Sequence, residues 1–290
     1  MLQALAAPLL ARCSFPPAGR DVTCAVSGGA DSTALLVLAV AAGCRATAVH
    51  VDHGLRPGSA TEAHVVSAAA RVVGACFRSE HVTVAAGPNL EARARAARYA
   101  VLPDDVLTGH TADDQAETVL INLMRGSGLD GLAGMRGPAG HPILRLRRAE
   151  TRFLCDELGL ATVDDPSNTD PRHRRNRVRH ELLPLLDAIA ERDMTSLLAR
   201  QADTLRDEAD LLDDLAAALD PADARALAAA PPALARRAVR RWLGDSYPPD
   251  AAAVERVLAV ARCESAGCDV GGGRRVRRSG MRLSIATVAR

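Results

Sequence analysis

The chain contains no lysine; all 36 of its basic side chains are arginine. A Walker-type phosphate lysine, a Schiff-base lysine and a lysine general base are therefore excluded. A biased base composition accounts for the absence, as it does for the excess of alanine. Cysteine chemistry is equally constrained. Cys13, Cys24, Cys44, Cys76, Cys155, Cys263 and Cys268 are odd in number, form no C-x-x-C and have no neighbouring histidine pair at ligand spacing. Neither a disulfide framework nor a structural zinc is expected. Long apolar runs are missing: the longest uncharged stretch, Ser32–Cys44, is too short to span a bilayer. The opening MLQALAAPLLARC has no basic n-region and is interrupted by Pro8, so a cytoplasmic location and no membrane partner are expected. A net charge of only +1 gives no global basic field, so a nucleic-acid partner has to be argued from local clusters.

What is present reads as a compact soluble protein, 48% hydrophobic and 24% charged. From Asp21 to about Leu146, short β-prone runs (TCAV, RATAVHV, FRSEHVTV, DVLTG) alternate with the helical patterns Ser32–Ala42, Thr61–Val73, Leu90–Tyr99 and Ala112–Met124. That alternation predicts an α/β fold, a Rossmann-like parallel sheet with helices on both faces. After Pro184 the composition shifts to Ala/Leu/Arg/Asp/Glu segments punctuated by Pro221, Pro231-Pro232 and Pro248-Pro249, a smaller, mainly helical domain. A terminal hairpin is expected within DVGGGRRVRRSGMRLSIATV. The domains are drawn as 1–188 and 189–290. No internal repeat is seen, and the oligomeric state is left open, a homodimer included.

The most informative segment is TCAVSGGADSTALLVLAV, an apolar strand that runs through Ser27-Gly28-Gly29-Ala30-Asp31-Ser32 into an apolar helix. Paired glycines let backbone N–H groups turn toward an anion, and the helix N-terminus adds partial positive charge. This is a pyrophosphate cradle. Asp31 offers a carboxylate suited to Mg²⁺ on the leaving pyrophosphate. As an ordinary strand-to-helix turn, two glycines and an N-capping side chain would also serve. The complete SGGxDS string, in this context, resembles the PP-loop of the N-type ATP pyrophosphatases, which split ATP between the α- and β-phosphates to leave an adenylated intermediate.

Further motifs narrow the resemblance to the lysidine synthase family. VHVDHGLR, from Val49 to Arg56, resembles that family's second signature and makes Asp52 and Arg56 candidates for the nucleotide site; His50 is read as a core residue. LEARARAARY, with Arg95 and Arg98, resembles its A-R-x-x-R-Y helix, though Pro103 follows closely and the stretch before the next strand is short. The densest match is TGHTADDQAETVLINLMRGSGLDGLAGM, from Thr108 to Met135. There Asp114 and Glu117, three apart, share a helix face. Acidic residues in a first turn are commonly dipole partners; in this context the pair suits a substrate ammonium, with His110 serving proton transfer or nucleotide contact. Asp164-Asp165-Pro166-Ser167-Asn168 leads into a run holding Arg172, Arg174, Arg175, Arg177 and Arg179. Such a run is often a solvated face, but it resembles the family's post-catalytic segment and suits phosphate contacts of an RNA. The resemblance covers about residues 20–190.

The resemblance implies a reaction. ATP would adenylate the C2 oxygen of the wobble cytidine in a CAU-anticodon tRNA(Ile), and free L-lysine would then displace AMP. Asp31, Arg95, His110, Asp114 and Glu117 would be catalytic, and Ser27–Ser32, Asp52 and Arg56 would bind ATP. A PP-loop tRNA thiolase would want paired cysteines, which are absent; a non-catalytic nucleotide-binding regulator would have no need of an intact SGGADS with Asp114 and Glu117.

Overall fold

The computed structural model describes residues 1–52, 54, 59–84, 87, 90–136, 140–164, 169–244 and 249–287. Helix α1 (Leu2–Leu10) precedes strand β1 (Asp21–Ala25), which feeds α2 (Ala30–Ala41). Then follow β2 (Arg45–Asp52), α3 (Ser59–Val73), β3 (Cys76–His81), α4 (Leu90–Val101), β4 (Leu107–Thr108) and α5 (Ala112–Met124). The four strands pair in parallel in the order β3-β2-β1-β4, with Cys24 opposite both Ala48 and Leu107. The expected α/β sheet flanked by helices is therefore what forms. The chain steps outward from β1 to β3 and returns to the other side of β1 for β4. This reversal opens a crevice at the carboxyl ends of β1 and β4, where open α/β sheets hold their ligands.

Helix α2 lacks a polar face because it has no solvent side: Ala34, Leu35, Leu36, Val37, Leu38 and Ala39 are all 0% exposed. On one face of the sheet Val22, Cys24, Ala46 and Ala48 join them with Ile143, Leu146 and Leu154. On the other, Val49 packs with Leu102 and Val106. The alternation of facing residues along β2 is the two-residue period of a strand covered on both sides.

Beyond α5 come the short helix α6 (Leu129–Leu132), α7 (Arg148–Glu157), α8 (Arg174–Arg177), a π-helical turn (Val178–Leu182), α9 (Leu183–Ala190) and α10 (Met194–Ala217). The backbone divides into two compact units, Met1–Thr204 and Leu205–Arg290, the division falling inside α10.

The second unit contains α11 (Ala224–Ala229), α12 (Pro232–Leu243), α13 (Ala251–Ala261) and the strands β5 (Gly267–Gly271), β6 (Arg274–Ser279) and β7 (Arg282–Thr287). Leu227, Val239, Leu243, Val257 and Val260 pack with Val276 and Leu283. Asp223 caps α11 and Asp250 caps α13 through their side chains. β6 and β7 form a hairpin within the segment where the sequence predicts one, and β5 extends it to a three-stranded antiparallel sheet. Two glycine turns are responsible, since Gly271, Gly272 and Gly273 all take positive φ (84°, 60°, 68°), as does Gly280 (58°).

Leu36→Ala should lower unfolding free energy by about 2–5 kcal/mol, as a buried leucine truncation that leaves a cavity. Leu123→Ala, at a position 56% exposed, should stay within ~0.5 kcal/mol; urea midpoints of the two variants measure the contrast.

Candidate active site

The crevice begins where β1 ends. The Ser27 N–H donates to Ser32 Oγ at 3.1 Å, and Ser32 Oγ donates to the Gly29 carbonyl at 2.9 Å. These bonds fold the loop onto the first turn of α2 and leave its end without a side-chain cap, so the opening N–H groups of the helix stay available for an anion. Gly28 sits at φ +94°, its carbonyl accepting the Val163 N–H at 2.9 Å. The second wall comes from β4. At Gly109 a Cβ would lie 2.8 Å from the Asp31 carbonyl carbon and oxygen and from Ser32 Cα, so the turn after β4 rests directly on the backbone of the phosphate loop.

The two walls meet through one guanidinium. Arg148, the first residue of α7, donates from Nε to Asp31 Oδ2 (3.2 Å), from Nη1 to Glu117 Oε1 (3.2 Å) and from Nη2 to Asp114 Oδ1 (3.0 Å). Arg175 adds a second cation, its Nε 2.6 Å from Glu117 Oε2 and its Nη2 3.4 Å from Asp114 Oδ1. Asp31 also accepts the Thr151 hydroxyl. The Glu117 side chain is only 2% exposed, and a carboxylate so deep is tolerated because two guanidiniums meet it. Burial raises the Asp31 carboxyl, against Thr151 and Arg148. Burial also works on Asp114, but the Arg148 and Arg175 charges and the Thr111 N–H outweigh it and hold that carboxyl below its usual range. The same carboxylates raise Arg148 despite its burial.

Asp114 has a second task. Its Oδ2 accepts the Thr111 N–H at 2.9 Å and the Thr111 hydroxyl at 3.0 Å, the capping arrangement that starts α5. Asp113 turns the other way, accepting the Arg148 N–H at 2.8 Å and Arg147 Nε at 3.2 Å. Gln115 fastens the glycine-rich segment that follows, its Oε1 accepting the Met135 N–H at 2.8 Å. A Cβ at Gly134 would stand 2.6 Å from that Oε1.

His110 stands at the rim with His141, ring centroids 4.7 Å apart and edge-on. Burial first, then the charges of His141, Arg175 and Arg95, push His110 down to about 4, with Asp114 opposing. The ring is neutral at pH 7. Arg95 lies over the Tyr99 ring, 5.0 Å from its centroid, and also lowers His141.

The structure thus gathers Ser27–Ser32, Asp31, His110, Asp114 and Glu117, with Arg95 within electrostatic reach. Asp52 ends β2, its Oδ1 accepting the Gly54 N–H at 2.8 Å; Arg56 lies outside the described residues, as do 165–168. The basic run treated as one phosphate-facing set is divided. Arg175 points into the carboxylate cluster. Arg179 lines a cavity of about 330 Å³ beside Glu117 and Arg148, and burial lowers its guanidinium. Arg172 pairs with Asp170 and Arg177 with Glu181 on the surface, and Arg174 is exposed without a partner among the described residues. His50 is buried as expected, its Nδ1 3.0 Å from the Val26 carbonyl.

Arg147, Arg148, Thr151, His141 and Thr108 carry much of this geometry and were not singled out by sequence. One signal was available: two arginines at the first turn of a helix oppose its dipole, which calls for carboxylates supplied from elsewhere. For His110, stability should fall between about pH 6.5 and 4. Its folded pKa lies below its unfolded one, so the unfolded chain takes up the proton first and is favoured as pH drops. Urea unfolding of wild type and His110→Gln at pH 4.5, 5.5 and 7.5 should show a smaller acid loss in the variant.

Comparison with known proteins follows this geometry. Residues 5–186 match the family described as PP-loop domain, and residues 223–284 match the TilS substrate binding domain. The chain is 44% identical to a tRNA(Ile)-lysidine synthase of Nocardia farcinica over 94% of this chain and 91% of that one. It is 46% identical to that of Mycobacterium leprae over 76% and 73%. Among solved structures, the U34-tRNA thiolase NcsA from Methanococcus maripaludis with its [4Fe-4S] cluster superposes with a TM-score of 0.53 at 17% identity, over 70% of this chain and 78% of that chain, a likeness of fold alone. With a PP-loop phosphate cradle joined to an acidic pair through Arg148, and with these relatives matched over most of its length, the chain belongs to the tRNA(Ile)-lysidine synthase family of ligases.

Proposed function

We propose that this site joins lysine to the C2 position of the wobble cytidine of CAU-anticodon tRNA(Ile) in two steps on one surface. The observation that carries the reading is the Arg148 bridge, which holds the phosphate-loop carboxylate Asp31 beside the acidic pair Asp114 and Glu117. In the first step the loop N–H groups hold the β- and γ-phosphates while the cytidine C2 oxygen attacks the α-phosphate and pyrophosphate leaves. In the second, Asp114 and Glu117 orient the lysine amine toward C2, and AMP departs with the oxygen. Arg95, within electrostatic reach of His110, would stabilise negative charge developing at the α-phosphate.

Asp31 suits a Mg²⁺ that arrives with ATP. A single carboxylate at a phosphate loop fits an ion that takes its other ligands from phosphate oxygens and water, and no group of three His, Cys, Asp or Glu side chains among the described residues is arranged to hold a metal alone. Bound there, the ion would neutralise charge on the leaving pyrophosphate. A thiolase reading is disfavoured by the lack of any C-x-x-C pair in the sequence, and burial pushes the Cys24 and Cys155 thiols up to about 12.

Residues 1–188 would carry out the chemistry and 189–290, with the surface arginines, would grip the tRNA in the cytoplasm. The decisive assay incubates the protein with ATP, labelled L-lysine and a panel of tRNA transcripts. Label should enter only the CAU-anticodon tRNA(Ile), and equal labelling of all transcripts or of none defeats the proposal. Asp31→Asn should fold yet lower pyrophosphate release by roughly 10²-fold or more, whereas Glu117→Gln should slow lysine transfer more than adenylation. Arg174→Ala should reduce the slope of log tRNA affinity against log salt by about one unit with ATP affinity unchanged; Arg175→Ala should impair lysine transfer instead.

A further inference from the structure

His110 does not stand alone at the rim. Thr108 Oγ1, at the end of β4, lies 2.8 Å from His110 Nδ1, 2.6 Å from His141 Nδ1 and 3.0 Å from the Gly140 carbonyl oxygen. The two Nδ1 atoms are 3.2 Å apart. A threonine hydroxyl has one proton and two lone pairs. The Gly140 oxygen can only accept, so the hydroxyl proton goes there, and the two lone pairs receive one N–H from each imidazole. This is the arrangement that satisfies all three contacts. The short nitrogen–nitrogen distance is then the result of two donors sharing one acceptor.

We propose that Thr108 and His141 are positioning residues that fix the His110 ring as its Nδ1–H tautomer, with the Nε2 lone pair directed away from the clamp to take a proton during lysine transfer. The inference rests on the lysine-transfer reading above and assigns it a base. Attack by the neutral amine forms the C2–N bond, the C2–O bond breaks as AMP leaves with its electron pair, and the proton given up by nitrogen passes to His110 Nε2 and then to solvent. Neutrality of the ring supports the role, since burial and the facing groups His141, Arg175 and Arg95 disfavour the cation while Asp114 favours it. His141 also makes its neighbour less basic, so it sets the pH range as well as the orientation.

The clamp is tested by pairing Thr108→Val, which keeps the shape and loses the hydroxyl, with Thr108→Ser, which keeps the hydroxyl. Thr108→Val should lower kcat for lysine transfer by roughly 10–100-fold, the range of an orienting partner, with KM for lysine and ATP changed far less; Thr108→Ser should recover most of that loss. Replacing His141 by Phe should move the acidic limb of the pH–rate profile upward, because a group that depresses His110 has gone. Nitrogen NMR of histidine-labelled protein reads the tautomer without turnover. Wild type should show a protonated Nδ1 on His110, and Thr108→Val should show a mixture. A protonated Nε2 in wild type, or equal losses from the Ser and Val variants, overturns the assignment. If the tautomer is as stated but no lysine is transferred, the base has no reaction to serve: the catalytic part of the inference falls with the reading beneath it, and the clamp stands as geometry alone.

Discussion

Arg148 is the interaction on which the site depends. Its guanidinium reaches carboxylates on two helices, Asp31 on α2 and the Asp114–Glu117 pair on α5, while its own backbone N–H is capped by Asp113. The start of α7 is an unfavourable place for adjacent arginines until those carboxylates arrive, and the carboxylates are unfavourable at such depth until the arginines arrive. Each half offsets the other's cost, and the shared guanidinium ties α2, α5 and α7 together. Arg147 extends the same logic outward through Asp113 and Asp193, and Glu150 returns to the Arg147 N–H at 2.9 Å and to Arg12 beyond α1.

Much of the fold was legible because it is written in local terms. The phosphate loop announces itself by glycines at a strand-to-helix turn, and α2 by an apolar run that leaves no polar face. The acidic pair on α5 was legible for the same reason, since three residues of spacing place Asp114 and Glu117 together on any helix. What could not be seen were partners brought from a distance: 117 positions separate Arg148 from Asp31. His141 likewise meets Thr108 only because the segment around Gly140 lies against β4, where the Thr108 N–H donates to the Gly140 carbonyl at 2.8 Å.

The basic run divides for a related reason. The run is wound into a helix that passes from α8 into a π-helical turn over Val178–Leu182, so its arginines point in different directions. Arg175, in α8, and Arg179, in the turn that follows, are four residues apart, the spacing that puts two side chains on one helix face. Arg175 and Arg179 turn toward Glu117 while their neighbours remain in solvent, so one short segment supplies cations to two environments.

The contact at Gly109 has a broader consequence. With no methyl group between them, the turn after β4 and the phosphate loop behave as a single ledge rather than two hinged pieces. Backbone faces backbone there, with no side chain between the turn that carries His110 and the start of α2. The spacing between the loop at the end of β1 and the turn that carries His110 is thus set by a hydrogen atom.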